Sequence, residues 1–324
     1  MSIFDYRPSG TPFEYPHFYD LIDAISASYW THKEYNYDSD EHDLRFAMSM
    51  QDREVCSRAL LGIVQVEDKV KTFWPSIHRF FPKEEISDVG FCFADSEIRH
   101  KRAYKEPLVR IGVRNYADEE VKAPALHERT QYLQEISELS KSDNREDFFL
   151  AVIMFTVLVE YVSLFSQFLI VMSFNRKNGM MKGISNAVEA TTKEEVLHSA
   201  FGFEIVDIIK NEHPEMWTDE LQEKVRDMCI KAFEADKKML DWFFEHGDAS
   251  CVTKHECTEY QKFQLNEAMD QMGMLPLFDE VDPVALESTY WFVEELNLSS
   301  NKDFFNKRNT NYSAHSQSFD KDSF

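Results

Sequence analysis

Residues 148–174 read FFLAVIMFTVLVEYVSLFSQFLIVMSF, an apolar run long enough to cross a bilayer and broken by a single charge, Glu160. Two structures suit such a run. A membrane span with a carboxylate at its middle demands a functional reason for that charge. A helix that is apolar all round also suits the centre of a large bundle. No second apolar span exists, and the flanking segments are acidic and amphipathic, so the bundle is the better reading and no membrane is expected. Glu160 then becomes a buried acid with no Arg or Lys in its own run to pair with, a costly placement unless something compensates it.

The rest of the chain points the same way. Its 324 residues include only 9 Gly and 10 Pro against 27 Phe and 13 Met, a poor match to turn-rich sandwiches, propellers or glycine-loop nucleotide folds. Helical spacing recurs near 53–80, 91–114, 126–139, 146–174, 184–211, 218–246 and 254–272, separated by short polar links, and no convincing strand alternation occurs. Leu60, Ile63, Val64, Val70, Trp74 and Ile77 make one buried stripe, in which Pro75 predicts a kink or an early stop. Residues 1–50 mix aromatics, acids and turn formers, which suggests an arm laid over a helical body. Two units are expected: 1–298 as that body with its arm, and 299–324, polar and aperiodic, as a flexible tail.

Charge and cysteine content narrow the partners. The sum of 35 basic and 58 acidic residues is −23, a field that repels phosphate backbones, so no nucleic-acid partner is expected. Five cysteines without a CxxC suggest neither a disulfide framework nor a zinc knuckle, and the opening MSIFDYRPSG has no signal-peptide run. A cytoplasmic setting is the simplest expectation.

The chemistry lies in a repeated pattern. Glu97-Ile-Arg-His100 and Glu195-Val-Leu-His198 each put a carboxylate and an imidazole at i and i+3, on one helix face. Upstream of each stands another acid: Glu67, within the stripe of Ile63, Val64, Val70 and Trp74, and Glu160 in the apolar run. The plain alternative for Glu67 is a surface ion pair with Lys71, worth a few tenths of a kcal/mol. Taken together, the spacings are 30 and 35 residues, close to one helix plus a return, so the chain contains a duplicated helix pair. One Glu and one ExxH from each half is the arrangement of di-iron and di-manganese carboxylate bundles. Four carboxylates balance two divalent ions, and oxygen ligands with one nitrogen per ion favour Mn or Fe over Zn or Cu.

With these residues in place, the sequence resembles the radical-generating small (β) subunit of class I ribonucleotide reductase over nearly its whole length. The resemblance extends to Tyr104, one helical turn past His100, to Trp30 in SYWTHKE before the first ligand helix, and to Tyr312 in a tail ending SFDKDSF. It implies an all-α, ferritin-like bundle with a dinuclear metal centre in its core. It also implies a homodimer, a large (α) subunit that holds the ribonucleotide and receives the tail, and a radical passed between aromatic side chains.

Two departures refine the resemblance. The family often has Asp as its first ligand, where this chain has Glu67; it commonly has Asp before the second ExxH, where this chain has Glu194. The longer Glu194 bears on how Trp30 is coupled to the centre. Glu67 followed by the KTFW segment with Lys71 resembles the dimanganese subgroup, class Id, and implies two Mn ions per chain, with two Fe or mixed Mn/Fe as alternatives. In that subgroup reading Lys71 draws an anionic oxidant such as superoxide toward the metals, and Tyr104 stays unoxidised. A ferritin-like oxidase or hydroxylase acting on a small molecule is the competing function, but it has no need of Tyr312 or a docking tail. A storage or structural bundle has no need of Trp30, Tyr104 and Tyr312 either.

Overall fold

The computed structural model describes residues 2–112 and 123–295, and no strand occurs among them. Ten helices are named here: α1 Phe18–Ala27, α2 Asp38–His42, α3 Met50–Phe73, α4 Glu84–Arg110, α5 Pro124–Leu139, α6 Arg145–Asn178, α7 Lys182–Glu212, α8 Asp219–Phe243, α9 Lys254–Gln271 and α10 Pro283–Glu287. The tail expected at 299–324, with Tyr312, lies outside the described residues.

Four long helices close a ring around the core: α3 packs on α4, α4 on α7, α7 on the middle of α6, and the last part of α6 on α3. This is a ferritin-like bundle, the architecture that builds metal sites from side chains on facing helices. Helices α5, α8 and α9 pack outside it. The helix α6 is long and apolar enough to span a membrane, but 94% of its most apolar window is buried inside the protein, so its partners are other helices rather than lipid.

Local chemistry sets the boundaries. Ser49 accepts from the Asp52 amide at 3.0 Å and starts α3. The helix stops at Phe73 because Pro75 lacks an amide proton and would clash with a carbonyl one turn back, and a 3-10 segment, Trp74–Arg79, follows. The expected early stop is therefore what happens. Asn144 starts α6, accepting from the Glu146 amide at 2.9 Å.

The arm is more ordered than its composition suggests. It contains α1, whose Phe18, Leu21 and Ile25 are buried, and it is stapled to α4. Arg7 donates to both oxygens of Glu85, at 2.9 and 2.7 Å, and Glu14 accepts from Arg7 and from the buried Lys83. The arm also starts α7, because Asp40 accepts from the amides of Gly183 and Ile184 at 2.8 and 2.6 Å. Only glycine fits at 183, since a Cβ there would stand 2.2 Å from the Asn36 carbonyl.

Candidate metal centre

Each ring helix delivers its share of the site. Glu67 comes from α3, Glu97 and His100 from α4, Glu160 from α6, and Glu195 and His198 from α7; all are at most 1% exposed. Their ligand atoms form two overlapping groups, Glu67–Glu97–His100–Glu195 and Glu97–Glu160–Glu195–His198, each within 4.8 Å. Glu97 and Glu195 belong to both.

The shared carboxylates face both imidazoles. Nδ1 of His100 lies 3.1 Å from Glu97 Oε2 and 3.0 Å from Glu195 Oε1; Nδ1 of His198 lies 3.0 Å from Glu97 Oε1 and 3.1 Å from Glu195 Oε2. Each acid thus turns one oxygen to each histidine. Glu67 Oε2 is 3.9 Å from His100 Nδ1, and Glu160 Oε2 is 3.2 Å from His198 Nδ1.

Charge is poorly compensated by protein alone. Burial pushes the Glu67 and Glu160 carboxyls well above their ordinary range, with Glu97 reinforcing the effect on Glu67 and His198 opposing it on Glu160. Burial works against ionised Glu97 too, but the two imidazoles hold it well below that range. Both imidazoles are raised by the acids around them against the pull of burial. Neither oxygen of Glu67 has a hydrogen-bond partner, and one oxygen each of Glu97, Glu160 and Glu195 faces only an imidazole nitrogen that several acids share. Four buried carboxylates with too few donors, converging from four helices on two imidazole nitrogens, fit two divalent cations.

The π-helical segment Met154–Ser163 in the middle of α6 carries Glu160. Such a segment shifts the helix register and is frequent at functional sites. Thr156 on it sits against Gly202 of α7, where a Cβ would be 2.0 Å from the threonine hydroxyl oxygen. Trp74 fixes the acid, its indole N–H donating to Glu160 Oε1 at 2.7 Å. Sequence reading placed Trp74 in the apolar stripe and in the KTFW segment but gave it no role at the site; its position at the helix stop is what aims the indole inward. Phe93 packs on the His198 ring with centroids 4.0 Å apart, a contact not foreseen.

Residues 9–283 match the family described as ribonucleotide reductase, small chain. The chain belongs to this family. A probable ribonucleoside-diphosphate reductase small subunit of Invertebrate iridescent virus 3 is 23% identical, the alignment covering 94% of this chain and 84% of that protein. Among solved structures, a ribonucleotide reductase R2 subunit from Clostridium botulinum aligns with TM-score 0.82 at 18% identity, covering 91% of this chain and 94% of that one. A dimanganese(II) NrdF of Streptococcus sanguinis aligns with TM-score 0.73 at 14% identity, covering 88% and 100%.

In this ribonucleotide reductase small subunit, Tyr104, Trp30 and Glu194, three of the residues singled out from the sequence, lie beside the cluster. Tyr104 is fully buried, its hydroxyl has no hydrogen-bond partner, and burial, reinforced by Glu67, raises it well above the ordinary phenol range. Trp30 stacks on His100, with centroids 5.9 Å apart and planes 12° from parallel. Glu194 accepts at Oε2 from His100 Nε2, at 2.7 Å. Its other oxygen accepts from Arg99, at 3.0 Å, and the Trp30 indole nitrogen has no partner. Arg99, the third residue of the first ExxH, was not foreseen as part of the site; nothing in its spacing separates it from a surface arginine. Lys71 is half-buried one turn beyond Glu67, and neither Glu67 oxygen hydrogen-bonds to it, so the pair is no surface ion pair.

Proposed function

We propose that this small subunit holds two metal ions through Glu67, Glu97, His100, Glu160, Glu195 and His198, and supplies the oxidising equivalent that starts reduction of ribonucleoside diphosphates on a large subunit. The observation that carries this is the sharing of Glu97 and Glu195 between two ligand groups. Glu67 and His100 complete one ion's ligands; Glu160 and His198 complete the other's. When bound, the pair provides one-electron oxidising chemistry in a core without solvent.

The chain's own residues do the rest. Glu194 accepts from the outer nitrogen of His100 and so keeps Nδ1 turned to the site. Trp74 holds Glu160, and the phenol of Tyr104 stays protonated beside Glu67. Trp30, in ring contact with His100, is the first aromatic step outward. Tyr312 is the later step, on the tail that docks on the large subunit.

We assign manganese to both positions. Glu67 in place of Asp, Lys71 one turn on, and the fold likeness to a dimanganese protein support it. Lys71 then draws an anionic oxidant such as superoxide toward the site. The subunit works as a cytoplasmic homodimer, and α4 offers a face for the second copy: Phe91, Ile98 and Val109 lie along one line of the helix and are about half exposed.

Deleting the tail from Ser299 tests the assignment. Metal content and helicity should stay while nucleotide reduction with the large subunit is lost. Reduction at the normal rate by the truncated chain contradicts it.

A further inference from the structure

Two hydroxyls of the apolar run are satisfied within their own helix: Thr156 donates to the Val152 carbonyl and Ser173 to that of Leu169, each at 2.7 Å. The polar residues just past Glu160 bond to other helices instead. Ser163, the last residue of the π-helical segment, donates to Asp236 Oδ2 of α8. Asp236 Oδ1 lies 3.4 Å from Nε of Arg129 on α5, whose Nη1 donates to Gln167 Oε1 at 3.2 Å. Gln167 closes the loop, its amide donating to the Ser163 carbonyl at 2.8 Å. From a third side α9 adds Gln264, which donates to the Tyr161 carbonyl at 3.3 Å, and Gln261, which donates to Ser166 Oγ at 2.9 Å. Every one of these donating and accepting side chains is buried.

We propose that Arg129 and Asp236 are positioning residues of the metal centre: through Ser163 they hold the π-helical register of α6 and so keep Glu160 turned to His198. The proposal rests on the reading of Glu160 as a metal ligand.

A buried ion pair adds little stability over apolar packing of the same volume, and its best use is to fix a register. The segment it holds has a register to lose. The wider turns of a π-helix hold residues for which an α-helix of the same length has no room. Return to α-helical bonding therefore turns one flank of α6 about its axis, by about 100° for each residue displaced. Thr156, seated against Gly202, opposes that turn at the start of the segment, and the clamp on Ser163 opposes it at the end. Glu160 lies between the two. Trp74 holds the carboxylate once it is in place, whereas the clamp holds the backbone that brings it there. Glu67 and His100 stand on α3 and α4, outside the segment, so release of the clamp affects one ion's ligands and spares the other's.

The test uses the full chain. Ser163→Ala cuts the segment from the clamp, and the double variant Arg129→Met with Asp236→Leu replaces the pair by apolar side chains. Hydrogen exchange of the metal-free chain should quicken in residues 154–163 of both variants and keep its native rate in α3 and α4. Calorimetric titration with Mn(II) should show one ion bound roughly 10-fold more weakly and the other unchanged. Circular dichroism identifies a double variant that fails to fold, and Ser163→Ala then decides. Native exchange in 154–163 of the folded variants overturns the proposal, as does an equal rise across α3 and α4 or an equal weakening of both ions. Faster local exchange with both affinities unchanged overturns it too, since the register would not then place Glu160. The ligand reading fails separately, if Glu160→Ala still binds two ions.

Discussion

Nε2 of His100 lies 2.7 Å from Oε2 of Glu194, while the matching nitrogen of His198 has no partner at all. The duplicated ligand pattern is therefore unequal in its support. A carboxylate on the outer nitrogen fixes the imidazole orientation and raises its basicity as a ligand.

Glu194→Ala should weaken metal binding on the His100 side by roughly 10–100-fold and leave the His198 side near its native affinity. Calorimetric titration of the metal-free chain with Mn(II) resolves the two. Unchanged affinities in both would remove Glu194 from the centre.

The arm depends on one buried fork. Arg7 and Glu85 have side chains 3% and 0% exposed, so Arg7→Ala leaves a buried carboxylate with only its backbone donors and should lower the urea unfolding midpoint. Burial tends to raise the Glu85 carboxyl, but the fork from Arg7 and backbone amides hold it at about 2. A depressed carboxyl stabilises the fold fully above its unfolded value near 4.5, and that part is lost as pH falls toward 2. In Arg7→Ala the loss over this window should shrink or reverse.

Gly202 controls how closely α7 meets the π-helical segment. Gly202→Ala drives a methyl into Thr156 and should destabilise the chain by about 1–3 kcal/mol, with weaker metal binding because Glu160 rides on the displaced segment. A melting temperature and metal content equal to the native chain's would show that the segment yields freely.

The helices that carry ligands were legible because their signals are periodic. The ExxH spacing puts both ligands of α4 and of α7 on one face, and an acid in an apolar run has few reasons to be there. Other features leave no such mark. The π-helical segment is invisible in a stretch that is apolar on every side, because a change of period needs a polar face to show it. Pro8, Gly10, Pro12 and Pro16 disguise the arm as a loop, although Phe18, Leu21 and Ile25 already form the stripe of α1. The Glu194–Arg99 pair depends on where two helices meet, and no spacing along one helix reports that.

The choice of metal and oxidant is open to direct reconstitution. The metal-free chain loaded with Mn(II) and given a superoxide source should become active with the large subunit, without a tyrosyl signal. Full activity from Fe(II) and dioxygen alone, with a tyrosyl signal that disappears in Tyr104→Phe, would replace the manganese assignment with a di-iron one.

The central claim is one centre of two ions held together by shared acids, and counting bound manganese per chain tests it most directly. The native chain should bind two ions. Glu67→Ala and Glu160→Ala, each removing a ligand of one ion, should keep about one, as follows from the ligand sets of a two-metal site. Glu195→Ala, which removes a ligand from both, should lose most of the metal. Two ions retained by Glu195→Ala, or fewer than two bound by the native chain at saturation, would contradict the account.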